Sequence, residues 1–558
     1  MMDAITTQVI GSLVLSLSEE MGVTLMKTAY SPNIKERTDF STAIFDQSQQ
    51  VIAQAQRVPM HLGSMLGAVD DLTRRYPVGS LRPGDMFIAN DPYNGGGSHL
   101  PDLNLVAPVF FRDQLVAFVA NIGHHSDIGG MVAGSESGDC KDIFQEGLRL
   151  PMVRLVNAGT INEDVLNIML LNTRTPRDRL GDLRAQIAAN RVGIRGMLEV
   201  CERYGPELLS ASMEELLNYG EKRIRSAISH IPDGIYEATD YLDSDGLMER
   251  PVKICLTMTV EGDHLKLDFT GTDPQVGSSR NVPLSALKAT VYTVIKSMID
   301  PGLPANSGYY RAIEITAPKG CLVNPVVPAA VGERSTTCGV VGDVVVQCIS
   351  QAMPARAMAG SGPHHQIIPS GMNPRTAEFF VDYETFAGAL GARPYRDGID
   401  AVRIHASGSS NLPIESLEIN FPLRVERYEL IQDSGGAGRH RGGLSIRRDY
   451  RIICDGVCTS VCGERQRVAA PGIQGGLPGR PGRFILNPST SHEKRLPSTV
   501  SDISLKKGDL LRVETPGGGG CGDPLERDRE LVLRDVMEER ISPEAAKSAY
   551  GLDILRQE

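Results

Sequence analysis

No long cluster of lysine or arginine occurs in the sequence, and 57 basic residues stand against 68 acidic ones, a formal charge of −11. That excludes a nucleic-acid binder working through a basic face, because the phosphate backbone demands local positive charge. Cysteine is sparse: ten in 558 residues, with one tight group at Cys454, Cys458 and Cys462. The spacing is not the Cys-x-x-Cys pairing of zinc ribbons, so the segment reads as a strand pair with small buried thiols in a reduced, cytoplasmic protein. No Gly-Lys dipeptide occurs, so the pattern G-x-x-x-x-G-K-[ST] is absent and no P-loop nucleotide site is encoded. No apolar run approaches the ~18 residues of a membrane span. The N-terminus has neither the basic stretch nor the A-x-A site of a signal peptide and reads instead as an amphipathic helix, with Ile5, Val9, Leu13 and Leu17 on one face and Ile10 and Val14 beside them. Tryptophan is absent altogether.

What is present is an ordinary globular mix, 41% hydrophobic and 22% charged, which excludes disorder, collagen and coiled coil as the main description. Glycine, at 58 residues, is enriched, so many backbone positions need positive φ or close approach. The length corresponds to about four domain-sized units at ~150 residues each. The pattern predicts an α+β fold in one compact body of several units. An α+β unit over 1–231 ends in a helical stretch from Glu163 to Ile231, and a central α+β unit covers 232–420. A β-rich, glycine-punctuated unit covers 421–525, and a helical tail covers 526–558. Ser542-Pro543-Glu544 supplies that tail with an N-cap, a proline at the first helical position and an acidic first turn.

The densest group of metal-type side chains is His99-Leu-Pro-Asp102 followed by His124-His-Ser-Asp127. Leu103 to Phe111 and Gln114 to Ile122 read as a β-hairpin turning at Arg112-Asp113. Counting back from that turn sets Asp102 opposite Gly123 and His124 opposite Pro101, with facing positions roughly 5 Å apart. Asp102 and His124 thus meet at the open end of the hairpin, and His99 arrives there from the loop Asn90–Ser98. Two imidazoles and a carboxylate suit zinc, manganese or iron. The same residues also suit a hydrogen-bonded polar loop in which His and Asp cap strand ends. Three further features have two readings each. Asp268-Phe-Thr-Gly-Thr-Asp273 is a phosphate-binding turn or a strand end. His364-His365 lines a pocket or a solvated loop. The glycines of Thr515–Pro524 cradle an anion or allow a tight crossing of chains.

Several long blocks carry a resemblance that runs nearly end to end. They include Ser31-Pro-Asn-Ile-Lys-Glu-Arg-Thr-Asp39-Phe-Ser41, Val58-Pro-Met-His61-Leu-Gly-Ser-Met65, Asn90-Asp-Pro-Tyr93 through Asp102, and Gly123-His-His-Ser-Asp-Ile-Gly-Gly130. Gln432-Asp-Ser-Gly-Gly-Ala-Gly438 with Arg441-Gly-Gly443, and the stretch ending Gly522-Asp-Pro-Leu-Glu526, complete them. In these the chain resembles the hydantoinase B/5-oxoprolinase family, which also takes in the metal-bearing subunits of acetone and acetophenone carboxylases. The resemblance implies the B-type component of an ATP-dependent cyclic-amide hydrolase acting on hydantoin, 5-oxoproline or a lactam. It implies an A-type partner that holds ATP and magnesium and phosphorylates the substrate, while a divalent metal on this chain activates water. The alternatives it leaves are the metal-bearing component of an ATP-dependent ketone carboxylase and a non-catalytic scaffold for the ATPase partner. Carried onto this chain, the metal ligands are His99, Asp102 and His124, with Asp39 as a fourth on the resemblance alone. Asp127 and His125 are then the groups expected to take a proton or orient a ligand imidazole.

Overall fold

The computed structural model describes residues 4–554. Helix α1 (Ala4–Thr28) is followed by one helical turn, α2 (Pro32–Lys35), and by strands β1 (Phe40–Asp46) and β2 (Val51–Gln54). Helices α3 (Pro59–Ser64) and α4 (Leu66–Arg75) lead to β3 (Met86–Ala89). The hairpin β4 (Asp102–Phe111) and β5 (Gln114–His124) comes next, then the short β6 (Val153–Asn157) and β7 (Thr160–Ile161). They form one seven-stranded sheet in the order β2-β1-β5-β4-β3-β6-β7.

Both faces of this sheet are covered, which is why β4 and β5 are apolar on both sides. Leu103, Leu105 and Val119 pack with Met21 and Leu25 of α1 and with Met197 of α6 (Pro176–Tyr204). Val106 and Phe118 point the other way, onto Val69 and Leu72 of α4. The predicted helical stretch resolves into α5 (Glu163–Leu171), α6 and α7 (Pro206–Ile228), with prolines opening the last two as expected at N1.

Helix α1 buries the expected face only in part, turned toward Ile10 and Val14, with Leu13 and Leu17 packed half-buried against the core. Ile10, Val14, Met21 and Leu25 are in the core, whereas Ile5 is 74% and Val9 42% exposed. The small residues Gly193 and Gly196 of α6 explain the choice: Met21 and Leu17 sit directly over their Cα positions. Among the described residues, α1 is also the one helix long and apolar enough by composition to cross a membrane. It contains no unbroken apolar run, because serine and threonine are mixed among its apolar residues.

A second sheet holds β8 (Gly234–Leu242), β9 (Val252–Glu261), β10 (His264–Asp268) and β11 (Ile313–Thr316) in the order β11-β10-β9-β8. Alternate residues of β9 are buried, as expected where one face meets a core. That core is supplied by helices α8 (Leu284–Ile299) and α9 (Arg334–Ala352). Strands β12 (His365–Asn373), β13 (Glu378–Val381) and β14 (Glu384–Phe386) then open a third sheet, completed by Val457–Cys462 and Thr499–Leu505. Pairing therefore runs across residue 420, where a break between units was expected. A fourth sheet contains Leu423–Leu430, Ile446–Ile452, Leu510–Glu514, Arg483–Leu486 and Lys494–Leu496. Cys458 and Cys462 lie in one strand and Cys454 in the bend that precedes it, and of the three thiols only Cys462 is buried. In the tail, Ser542 caps Pro543–Tyr550, its Oγ accepting from the N–H of Ala545 at 3.0 Å.

Candidate metal centre

The turn Arg112-Asp113 has positive φ at both residues, 47° and 65°, the shape of a two-residue hairpin turn whose twist matches its strands. Phe111 faces Gln114 as expected, but a bulge between Val109 and Phe110 shifts the register, so Asp102 pairs with His124 itself rather than with Gly123. A bulge inserts one extra residue on one strand, and composition gives no sign of this one. On its other edge β5 pairs with β1, Phe40 facing Gly123, and the His124 N–H donates to the Asp39 carbonyl at 3.0 Å. Asp39, His124 and Asp102 thus stand side by side at one end of three adjacent strands. His99 is brought in by the preceding loop. Gly97 permits this with φ of 104°, where a Cβ would lie 2.9 Å from the Asp102 carbonyl.

One ligand atom each from His99, Asp102 and His124 lies within 4.8 Å of the other two, and all three residues are buried. His99 Nε2 is 3.3 Å from Asp102 Oδ1. His61, on α3, brings its Nε2 to 3.4 Å from Asp102 Oδ1 and 3.6 Å from Asp39 Oδ1. Ligand atoms about 2.1 Å from a tetrahedral ion are about 3.4 Å apart, so these separations match the edges of a coordination shell. The decisive feature is satisfaction. His99 Nε2, Asp102 Oδ1 and His124 Nε2 are all buried without a hydrogen bond, and so is His99 Nδ1, a costly state for polar atoms that nothing else occupies. The donor set fits a divalent transition metal.

The other atoms of these side chains are held from behind. Asp102 Oδ2 accepts from Ser98 Oγ at 2.6 Å and from an Arg334 Nη at 3.2 Å, which leaves Oδ1 facing inward. Glu136 Oε1 lies 2.9 Å from His99 Nδ1 and accepts from the Tyr383 hydroxyl at 2.8 Å. The Asn33 amide donates to the His124 carbonyl at 2.8 Å and lies 3.0 Å from its Nδ1, while Asn33 Oδ1 accepts from Arg37. Burial opposes the charge on Asp102, yet His99, His61 and Arg334 hold its carboxyl well below the usual carboxylate range. Burial and Arg334 oppose a charge on His99, but Asp102 and Glu136 raise its pKa. Burial lowers that of His124. The cavity in front of these groups is lined by Asp39, His61, His124, Arg334, His364 and Tyr383, and the space open to water centres is about 40 Å³.

The hydantoinase B/oxoprolinase family profile matches residues 3–524. The chain belongs to that family. It is 34% identical over 572 residues to the B component of a putative D-/L-hydantoinase of Pseudomonas sp. strain NS671, covering all of this chain and 96% of that one. It is 32% identical to the beta component of the caprolactamase of Pseudomonas jessenii, over 99% and 96% of the two chains. The crystal structure of the ATP-dependent caprolactamase from that organism superposes with a TM-score of 0.90 over 99% of this chain and 96% of that chain, at 30% identity. A nucleotide-free acetone carboxylase superposes with a TM-score of 0.91 over 98% of this chain and 79% of that one, and at 19% identity that likeness shows the fold alone.

In this hydantoinase B-type chain the structure brings Asp39, His99, Asp102 and His124 together, and sends His125 and Asp127 elsewhere. Successive side chains of an extended segment point to opposite sides, so His125 turns away from His124 and places its Nε2 3.0 Å from Gln186 Oε1 of α6. Burial, with Arg179 next, holds its pKa far below the ordinary value. The Asp127 carboxylate accepts from the N–H groups of Gly129, Gly134 and Arg174 and pairs with the Arg174 side chain at 2.9 Å. It staples the loop after β5, and the neighbour of His124 Nδ1 is Asn33. Glu136, Arg334 and Tyr383 were missed by sequence reasoning. Glu136 alone had a signal, an acid in the glycine- and serine-rich loop twelve positions after His124.

The two-sided features also resolve. His364 lines the metal cavity, and burial and Arg403 push its pKa down to about 3, so it stays neutral. His365 instead places its Nε2 3.0 Å from the Glu464 carbonyl. Gly517 to Gly520 form a crossing. Their N–H groups donate to the carbonyls of Arg480, Gly443, Gly360 and Leu477, so none is left for an anion. Asp268 turns its Oδ1 back to the Thr270 N–H and closes a strand end.

Proposed function

We propose that this chain is the metal-bearing component of an ATP-dependent cyclic-amide hydrolase, opening a hydantoin, 5-oxoproline or lactam ring that an A-type partner has phosphorylated. The observation that carries the reading is the set of three buried, inward-facing ligand atoms without hydrogen bonds, on a chain 32% identical to a caprolactamase component. An amide resists attack because resonance feeds its carbonyl, and phosphorylation of the oxygen removes that resonance and creates a leaving group. His99, Asp102 and His124, with Asp39 beside them, would hold a divalent ion, which when bound would lower the pKa of water from about 15.7 to about 7 and so make a nucleophile available at neutral pH.

The chain's own residues do the rest. Glu136 sets its negative charge 2.9 Å from His99 Nδ1, which favours the proton on that nitrogen and leaves Nε2 as the ligand atom. Arg334 places a fixed cation beside Asp102, where negative charge on a phosphorylated substrate would be balanced. Tyr383 and the neutral His364 face the cavity as hydrogen-bonding groups. They take the place next to the reacting atoms that was expected of Asp127 and His125.

The test is reconstitution with an A-type partner, assayed on lactams, hydantoin and 5-oxoproline, and on ketones with and without bicarbonate. ATP-dependent ring opening that disappears in His99→Ala, with no carbon fixation, is the expected result. A bicarbonate-derived carboxylate on a ketone, or full activity in His99→Ala, would overturn the reading.

A further inference from the structure

Arg403, from the loop that follows β14, also lines the metal cavity. It is half-buried and forms an ion pair with no carboxylate among the described residues. Burial, and next the like charge of Arg37, pull its pKa down to about 10. The acids around it are engaged elsewhere. Glu384 pairs with Arg37 at 3.7 Å and with Arg448 at 2.8 Å, and Asp39 faces His61 at 3.6 Å. Arg334, on the same cavity, shows the contrast, since it pairs with Asp102 at 3.2 Å. A cation held out of bulk water without a counter-ion is costly.

The guanidinium is fixed from one side and open on another. Nη2 donates to the Thr385 carbonyl at 2.7 Å and to the Thr385 hydroxyl, and Nη1 donates to Ser407 Oγ at 3.3 Å. That engages three of the five N–H groups an arginine carries. The Nε–H meets no acceptor in the protein, and Nε is not sealed from solvent, so it is free to meet a ligand in the cavity.

Size and charge define that ligand. The space open to water centres is about 40 Å³, room for roughly three waters. A tetrahedral oxyanion is of that size and a ring is not. Three carboxylates, Asp39, Asp102 and Glu136, and two guanidinium groups, Arg334 and Arg403, surround the space. With a divalent cation in place and the histidines neutral, the surroundings are therefore net positive. Guanidinium N–H groups are matched to phosphate oxygens.

We propose that Arg403 anchors an oxyanion subsite in the metal cavity, which takes the phosphoryl group of an activated substrate and the inorganic phosphate it leaves. The link to turnover rests on the function proposed above. The subsite itself does not, because phosphate binding needs neither the ATP-dependent partner nor a ring.

The test titrates the zinc-loaded, full-length chain with inorganic phosphate, methyl phosphate and bicarbonate by isothermal titration calorimetry. The two phosphates bind within tenfold of each other, and bicarbonate binds at least tenfold more weakly. Arg403→Met weakens both phosphates at least tenfold. Arg403→Lys, which keeps the charge but not the planar fork, falls between Arg403→Met and wild type. The zinc Kd, read by competition with a chelator, stays within twofold in both variants, and circular dichroism confirms their fold. Unchanged phosphate affinity in Arg403→Met overturns the proposal, because the ion would then rest on the metal alone. So does a preference for bicarbonate, or exclusion of methyl phosphate. If the reconstituted pair opens no ring while these titrations come out as expected, the function proposed above fails and the subsite stands.

Discussion

Replacing Glu136 by glutamine tests the arrangement behind the metal ligands without disturbing its shape. One carboxylate oxygen faces His99 Nδ1 at 2.9 Å and the Tyr383 hydroxyl at 2.8 Å, and the other accepts from Gln366. A glutamine must put its NH2 at one of these two positions, donor against donor. Either His99 Nδ1 faces an NH2 where the carboxylate stood, or Gln366 does, and in both cases the negative charge that favours the proton on Nδ1 is gone. Loss of such an outer partner typically weakens metal binding 10–100-fold, which is about 1.4–2.7 kcal/mol. Competition against a chromophoric chelator reads this directly as a rise in Kd for zinc or manganese. Tyr383→Phe removes a donor to the same oxygen but leaves the His99 partner in place, and its effect stays under tenfold. A folded Glu136→Gln chain with the wild-type metal Kd would refute the reasoning, because His99 would then need no help to present its Nε2.

Two other outcomes follow from buried acids near the site. Glu146 is buried with Oε1 accepting from the N–H groups of Val331 and Gly332, and burial pushes its pKa up to about 8. A raised folded-state pKa means that its contribution is complete below the ordinary value near 4.5 and is lost as pH rises through 8. Metal-free wild type should therefore lose roughly 2–3 kcal/mol between pH 6 and pH 9, and Glu146→Gln should not. Urea unfolding at the two pH values checks this, and equal losses in both proteins would contradict it. Asp127→Asn removes the charge that pairs with Arg174 and holds two glycine N–H groups. It should cost about 1–3 kcal/mol of stability while metal Kd stays within twofold, and a tenfold loss of metal would return Asp127 to the centre.

The hairpin shows how far sequence reasoning reaches. Alternation and the Arg112-Asp113 turn are local properties, so β4 and β5 were legible to within a residue or two at their far ends. Their register was legible only up to the bulge at Val109, because a bulge is fixed by packing on both faces of the sheet. The same limit applies to α1. Its apolar residues surround much of the helix, and the face that enters the core was chosen by Gly193 and Gly196 of α6, some 170 residues away in sequence. His99, Asp102 and His124 were legible because three ligand types fell within one hairpin and its approach. Arg334 and Tyr383 were not, since an arginine at a helix start and a tyrosine between two strands look like any others until the fold delivers them.

That delivery has a consequence for how the site works. The inward-facing ligand atoms belong to the first sheet and its loops, the arginine that braces Asp102 begins α9 on the second, and Tyr383 and His364 come from the third. The metal-binding group can therefore exist on the first sheet alone, whereas the cavity in front of it exists only where the three meet. With room for a few waters but not for a ring, that cavity would have to widen to admit the cyclic substrate proposed above, and its walls can part without pulling the ligand residues from one another. The segment carrying His61 is the exception: Val58, Met60 and His61 line that cavity, while Arg57, Pro59 and Gly63 line a second one of about 540 Å³ on its far side. Motion of that segment would reshape both spaces together.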